Sequence, residues 1–182
     1  HMIEVNNHLI EQGRSTKAEL IMPLPGETKQ TFVKGLNNVL NSSASSVTIY
    51  TLMMLNGTEF KNPEFRKKYE YIGKFRIVPL NFGEYNNERI FDFEEVGIST
   101  KDMSFEEYLS LRGLALLVES LVNGKPFYEF FKYSKIFKIE AADLLKSMYD
   151  NIKLASPNIQ KIISGFIEET KGELWDSEEE LV

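Results

Sequence analysis

Two short apolar segments, separated by a helix-like segment, constrain the fold of this chain more than any other feature. Residues 18–23 form an apolar run that ends in a turn at Pro25 and Gly26. Thr28 can then cap a helix, in which apolar residues recur at helical spacing. A second apolar run covers residues 47–54. The order strand, helix, strand predicts a βαβ unit with parallel strands and a right-handed crossover.

The next part of the chain predicts more β structure. The pattern indicates a loop with a short helix over residues 61–74 and a short strand over residues 75–80. A turn over residues 81–87 and another strand over residues 89–99 follow. Pro79 must lie at the end or the edge of such a strand, because proline cannot donate a hydrogen bond to the ladder.

The residues after 100 are predicted to be helical. Ser104 and Glu107 match a capping box, in which each side chain accepts a hydrogen bond from the backbone N–H of the other residue. A further helix is predicted over residues 138–152. Ser156 followed by Pro157 is typical of a helix start, since proline suits the first helical position.

Composition and charge exclude several classes of function. The chain has 182 residues, a formal net charge of −6 and no cysteine. The negative charge gives no general attraction to phosphate backbones, so nucleic acid is not expected as a partner. No apolar run approaches the roughly 18 to 20 residues that span a bilayer, so no membrane partner is expected. A chain without cysteine holds neither a disulfide nor a thiolate-ligated cluster, and it fits a cytoplasmic location.

The titratable residues form no recognisable catalytic or metal-binding set. Beyond the first residue the sequence contains one histidine, His8, so a histidine-based metal site is not expected. The adjacent carboxylates at 94–95 and 106–107 diverge on a strand or a helix, so neither pair makes an acid–base dyad. We therefore assign no catalytic residue and no metal ligand to this chain.

Several blocks of the sequence occur in the order and spacing of a known enzyme family. Residues 19–28 (ELIMPLPGET) resemble the fifth barrel strand of radical S-adenosylmethionine (SAM) enzymes, and residues 50–58 (YTLMMLNGT) resemble the sixth strand and the loop after it. Four further blocks are similar to the tail of a subgroup that carries a cobalamin domain: residues 82–85, 93–96, 104–112 and 173–177.

The resemblance implies that the chain is the C-terminal part of a radical SAM enzyme. The expected fold class is α/β, with a partial (β/α) barrel over residues 3–100 and a mostly helical extension over residues 101–182. Residues 1–2 look like the remnant of an expression vector. The Cys-x3-Cys-x2-Cys loop that holds the 4Fe–4S cluster in this family would lie upstream. The implied partners are the missing N-terminal half of the barrel and a cobalamin-binding domain.

The resemblance also implies the chemistry of the whole enzyme. In this family the open iron of the cluster binds SAM, and reductive cleavage of SAM gives methionine and a 5′-deoxyadenosyl radical. In cobalamin-dependent members SAM also supplies a methyl group, and the sequence does not choose between methyl transfer and hydrogen abstraction. The isolated chain is expected to hold no cluster, to show no turnover and to bind SAM weakly or not at all.

The resemblance assigns a cofactor-binding set to the two strands and the turn. Ile21 corresponds to an aliphatic residue that contacts adenine, and Tyr50 to Leu52 correspond to a second region near adenine. The full candidate set is Glu19, Ile21, Pro23, Pro25, Gly26, Tyr50 and Leu52. Each also has a structural interpretation, such as a core side chain or a tight turn. Pro23 stands where the family usually has glycine, and proline lacks the N–H that a close ligand would use.

Other functions remain open at this point. Aromatic-rich amphipathic helices, without a nucleophile–base set, are also typical of a non-enzymatic helical module that binds a protein partner. A small α/β enzyme that uses carboxylates alone is a third interpretation. If the chain is part of a barrel, it exposes strand edges that the missing half would cover. Such edges pair readily, so we expect the isolated chain to dimerise or to exchange strands.

Overall fold

The computed structural model describes residues 2–42 and 44–181, in which strands and helices first alternate and helices then dominate. The helices are α1 (Met2–Glu11), α2 (Lys29–Asn41), α3 (Pro63–Tyr69), α4 (Phe105–Leu117), α5 (Tyr128–Ile136), α6 (Ala141–Asp150) and α7 (Pro157–Gly172). The strands are β1 (Lys17–Met22), β2 (Ser46–Thr51), β3 (Ile72–Tyr85) and β4 (Glu88–Ser99). Short 3₁₀ turns occur at Glu59–Lys61 and Ile152–Leu154, and a π turn at Val118–Val122. The fold class is therefore mixed α/β.

The predicted strand–helix–strand unit is present. β1 and β2 pair in parallel, with Ile21 opposite Tyr50. Thr28 caps α2 as predicted: its side-chain oxygen accepts a hydrogen bond from the Thr31 N–H at 3.2 Å, and the Thr31 hydroxyl accepts one from the Thr28 N–H at 2.9 Å. Two threonines thus form the reciprocal capping box that is usually made by a serine and a glutamate. This cap determines where α2 begins after β1.

Helices cover one face of the β1–β2 sheet. Met22 of β1 and Val47 of β2 point into the core, where they join Leu36 of α2. The same core contains side chains from both sides of residue 100: Val96, Ile98, Leu111, Leu114, Leu145 and Ile163. Because side chains alternate along a strand, the other face of β1 and β2 carries the remaining residues and is left without a helix.

Residues 72–99 form one long antiparallel hairpin, which corrects the predicted turn over residues 81–87. Only Asn86 and Asn87 make the turn, and both have positive φ, 53° and 64°. A two-residue hairpin turn requires this conformation, and asparagine tolerates it. Residues 81–85 extend β3 instead, with Phe82 opposite Phe91. The asparagine-rich composition of this segment indicated a turn correctly but overstated its length.

Pro79 lies at an irregularity in the hairpin. The pairing register shifts between Ile77 and Phe82, and Leu80 inside this interval has a φ of 65°. A bulge leaves residues of one strand unpaired, so the missing N–H of Pro79 interrupts no regular ladder. The sequence constraint on Pro79 is therefore met by a bulge in the middle of the strand rather than by the strand end.

Backbone hydrogen bonds join the hairpin to the βαβ unit. β2 ends at Thr51, and the residues after it, predicted as more of the same strand, pair with β4: the Met54 N–H donates to the Glu95 carbonyl at 2.8 Å. On the far side of the hairpin, Phe75 and Trp175 exchange two backbone hydrogen bonds, at 2.9 and 2.8 Å. Across residues 2–42 and 44–181 these strands close no barrel.

The helical half follows most of the predicted signals. Ser104 and Glu107 form the predicted capping box, with N–H to side-chain distances of 3.3 and 2.9 Å. Pro157 occupies the first turn of α7, as predicted. The helix predicted over residues 138–152 is α6, which is shorter at both ends. Among the helices of the described residues, none is long and apolar enough to cross a bilayer.

Candidate functional site

The uncovered face of the β1–β2 sheet holds three of the predicted cofactor-binding residues. Ile21 and Tyr50 are register partners on neighbouring strands, and their side chains are 44% and 43% exposed. Glu19 lies two residues before Ile21 and is exposed on the same face. Such a surface can pack against a planar apolar group.

Lys17 links two of these residues and was missed by the sequence reasoning. Its Nζ donates to the Tyr50 hydroxyl at 3.2 Å and pairs with the Glu19 carboxylate at 3.0 Å. The hydrogen bond to Glu19, and then the one to Tyr50, raise the pKa of the Lys17 ammonium above its ordinary value. The period-two alternation of Lys17, Glu19 and Ile21 was the signal that could have found it.

The Pro25–Gly26 turn lies beside this face, between the end of β1 and the start of α2. Gly26 has a φ of 75° and is exposed, with no atom within 4 Å of the position that a Cβ would occupy. The left-handed backbone therefore demands glycine for conformation, while the space next to it is open. The space beside Gly26 is therefore open for a ligand to approach the turn.

Two other predicted residues lie away from the open face. Pro23 is buried, and its carbonyl accepts a hydrogen bond from the Tyr71 hydroxyl at 3.0 Å. Leu52 is 4% exposed and packs with Met54 and Tyr71 in a small second core. The structure thus brings Glu19, Ile21 and Tyr50 together and separates Leu52 from them by burial. A cofactor contact for any of these residues stays a prediction.

Glu27, next to the turn, is an unusual carboxyl group. It is half-buried, and its Oε2 atom is shielded from solvent without a hydrogen-bond partner among the described residues. Burial raises the pKa of Glu27 above its ordinary value of 4.5, and a backbone hydrogen bond from Leu24 offsets part of that rise. Burial also raises the pKa of Tyr71, and the negative charge of Glu27 adds to that effect. Sequence reasoning did not select Glu27.

We expect Glu27→Gln to stabilise the chain slightly at neutral pH. The folded state raises the pKa of Glu27, so it favours the protonated form; stability from this group is complete below pH 4.5 and is lost as pH rises through the folded pKa. Glutamine carries no charge at any of these pH values, so the variant should lack that loss. Urea unfolding at pH 4 and pH 7 would measure it. A variant that loses more stability between these values than the parent contradicts the account.

The acidic side chains of the described residues form no metal-ligating group, and one adjacent pair is held in ion pairs. In the part of the chain that the structure describes, no group of three or more His, Cys, Asp or Glu side chains could hold a metal ion. The adjacent carboxylates at 94–95 are both engaged: Glu94 pairs with Arg76 at 2.7 Å, and Glu95 pairs with Lys61 at 2.6 Å. They point to different partners, as alternation along a strand requires.

Comparison with known proteins gives no relative for this surface. No model of a known protein family matches the chain, and no curated protein matches it either. A function for the open face therefore has to be inferred from its own residues and from the sequence blocks that resemble radical SAM enzymes.

Proposed function

We propose that this chain forms the C-terminal part of a radical SAM enzyme, to which it contributes the last barrel strands and a helical extension. The observation that carries the proposal is the open sheet face, where Ile21 and Tyr50 pair beside the exposed Gly26 turn. This turn follows the carboxyl end of β1. In α/β barrels the active site lies at the carboxyl ends of the parallel strands.

The residues of the open face would bind and orient rather than react. Ile21 and Tyr50 offer an aliphatic and an aromatic surface on which the adenine of SAM can pack. Lys17 fixes the Tyr50 hydroxyl and the Glu19 carboxylate, so polar groups border the apolar surface. When bound to a 4Fe–4S cluster, SAM supplies the radical chemistry of this family, with cobalamin in some members. The cluster would need cysteines from another part of the enzyme, since this chain has none.

The proposed partners are the N-terminal half of the barrel and, in a cobalamin-dependent enzyme, a cobalamin-binding domain. The open face and the unpaired edge of β1 support this, because a half-barrel leaves both without cover. A cytoplasmic location belongs to the same proposal. Neither nucleic acid nor a membrane has a role in it.

The source reading frame upstream of residue 1 tests the proposal first. We expect a Cys-x3-Cys-x2-Cys loop after a predicted strand, on the order of 100 residues upstream, which is the length of several βα units. Anaerobic reconstitution with iron and sulfide should then load a cluster on the longer protein and yield 5′-deoxyadenosine from SAM. The 182-residue chain treated in the same way should retain no iron. An upstream sequence without the cysteine loop would refute the proposal.

A substitution on the open face tests the binding role separately. In the longer protein we expect Ile21→Glu to weaken SAM binding about tenfold or more, because a charge would replace the apolar adenine contact. Ile162→Glu is the matched control, since Ile162 is 59% exposed on α7, far from the strands in sequence. Equal SAM affinity of the two variants in equilibrium dialysis would remove Ile21 from the site.

The free edge of β1 predicts self-association of the isolated chain. The carbonyls of Thr16 and Met22 accept hydrogen bonds from the β2 side, so the backbone groups of Glu19, at an odd position, point to the other edge. Glu19→Pro should abolish edge pairing and shift the chain to monomer in sedimentation equilibrium, without breaking the β1–β2 ladder. Glu19→Ala keeps the N–H and should associate like the parent. A parent chain that is monomeric at all concentrations contradicts this prediction.

A second candidate is the protein-interaction module, and α5 favours it. This helix and the residues beside it expose a row of large apolar side chains: Tyr128, Phe130, Tyr133, Ile136 and Phe137. Exposed apolar patches of this kind commonly mark an interaction surface. Both candidate functions require a partner that packs against the chain. They differ in what they predict for the upstream reading frame. If that frame encodes no cysteine loop, the protein-interaction module explains the chain better.

A further inference from the structure

A cavity lies at the opposite end of the strands from the Pro25–Gly26 turn. Its wall includes Ser46 and Val47, where β2 begins, together with the end of α1 and one side of α5. β1 and β2 run parallel, so the start of β2 is remote from the turn that follows β1. The cavity has a volume of about 510 Å³. Small-molecule sites typically have volumes of about 300 to 1,000 Å³.

Apolar atoms form the larger part of the cavity wall. Ile10, Leu40, Val122, Tyr128 and Phe131 supply aliphatic and aromatic walls. These residues come from α1, α2, α5 and the turn that extends α4, so the cavity is formed by elements that are distant in sequence.

Two polar side chains of the wall, those of Asn123 and Ser45, are already bonded within the chain. The Asn123 side chain accepts from the Val47 N–H and donates to the Val47 carbonyl, both at 2.9 Å. The Ser45 hydroxyl oxygen accepts from the Thr16 N–H at 3.0 Å. These groups therefore need no ligand to complete their hydrogen bonds. A ligand in the cavity would instead contact its apolar surface and the charged side chains that line it.

Those charges are predominantly positive. Lys125, Lys132 and Lys135 line the cavity, against one carboxylate, Glu11. Lys132 has a distant partner, Glu129, at 3.8 Å, and both side chains are well exposed, so this ion pair is weak. Lys125 and Lys135 make no ion pair with any described residue. The chain as a whole has a net charge of −6, whereas these lysine amines make the surroundings of the cavity positive.

We propose that this cavity binds an amphipathic carboxylate: a small molecule with an apolar chain or ring as its body and one anionic head. The body would lie among the aliphatic and aromatic walls, and the head would meet the amine of Lys125, before α5, or of Lys135, in its last turn. Burial of the apolar body would contribute affinity, and these two lysine amines, which make no ion pair with a described residue, would favour an anionic ligand over a neutral or cationic one. A polyphosphate fits poorly, because its charges would enter the apolar interior.

Decanoate is a suitable probe for the 182-residue chain. Titration calorimetry should detect a single site, and NMR spectra should shift at α5 and at residues 44–47. Lys125→Gln combined with Lys135→Gln should weaken binding about tenfold or more, because the carboxylate would lose both charged hydrogen-bond donors. Lys34→Gln combined with Lys153→Gln is the matched control, since both lysines are exposed and lie outside the cavity. The control should bind decanoate like the parent.

The neutral and the cationic analogues complete the test. Decanol should bind more weakly than decanoate, and decyltrimethylammonium more weakly still. Absence of decanoate binding at millimolar concentration would overturn the proposal. Equal affinity of the two double variants, or NMR shifts confined to the hairpin tip or the open sheet face, would overturn it as well. The readouts need neither SAM nor a cluster, so they stand or fall independently of the radical SAM proposal.

Discussion

Glu95→Gln should destabilise the chain by about 2 to 3 kcal/mol. The Glu95 side chain is 6% exposed and pairs with Lys61 at 2.6 Å and with Arg66 at 2.8 Å. Removing one partner of a buried ion pair costs about 3 to 5 kcal/mol. Lys61 and Arg66 remain about 30% exposed, so water recovers part of that loss. Urea unfolding would measure the change.

The expected loss has a specific location. The Glu95 carbonyl accepts the hydrogen bond from Met54 that joins the hairpin to the βαβ unit, while its carboxylate holds Lys61 and Arg66. Hydrogen exchange at the Met54 amide should therefore speed up in Glu95→Gln. Asp150→Asn breaks an exposed ion pair with Lys146 and should change stability by less than about 0.5 kcal/mol. A Glu95 variant as stable as this control would show that the buried charges are dispensable.

Gly113→Ala should also destabilise the chain, by about 1 to 3 kcal/mol, although alanine is the better helix former. Gly113 lies in α4, and a Cβ at that position would sit 2.1 Å from the Tyr149 ring of α6. Helix α4 and helix α6 share the main core through Leu111, Leu114 and Leu145. The two helices must separate or the ring must leave its place, and either change removes packing.

A second glycine provides a control for which the expected change in stability has the opposite sign. Gly165 lies in α7, and no atom lies within 4 Å of the position of its Cβ. Gly165→Ala should stabilise the chain by about 0.5 to 1 kcal/mol, since alanine restricts the unfolded chain and favours the helix. Thermal unfolding of both variants compares them directly. Adding Tyr149→Leu to Gly113→Ala should recover part of the loss. If both glycine variants raise the melting temperature, the contact with Tyr149 is not tight.

Local rules predicted the parts of this fold that depend on local interactions. The Thr28 cap and the Ser104–Glu107 capping box satisfy backbone groups within three residues, so the sequence shows them directly. Pro157 starts α7 because proline suits the first helical position, although the Ser156 side chain makes no cap hydrogen bond there. The βαβ unit was predictable for a similar reason, since a short crossover between two apolar strands leaves few topologies.

The β3–β4 hairpin was harder to predict from the sequence, because its strand pairing joins residues that are not close neighbours in the chain. Residues 81–85 are rich in turn formers, and only pairing with β4 across the bulge makes them a strand. The end of β2 was missed for the same reason: residues 52–54 look like more strand, but only the Leu52 N–H still bonds to β1, and the Leu52 carbonyl and the Met54 N–H bond to β4. Periodicity indicates that a segment is extended and does not indicate which neighbour it pairs with.

The family resemblance, and not a pattern within one strand, selected Glu19, Ile21 and Tyr50 as site residues. The structure places these three on one face of the β1–β2 sheet, and their contact with a cofactor stays a prediction. The burial of Leu52 depends on Tyr71, which is distant in sequence. Alternation along β1 could have placed Lys17 on this face, but its hydrogen bond to Tyr50 joins two strands. A pattern within one strand does not contain that contact.

The core that spans both sides of residue 100 bears on how the chain can be shortened. Met22 and Leu36 pack in one cluster with Leu111 and Leu145, so a cut between β4 and α4 would split a single core. Neither piece would bury enough apolar surface to fold by itself. Halves divided within the 99–104 connection and expressed together should therefore give two products that stay associated until denatured. Truncated versions for expression should retain both halves.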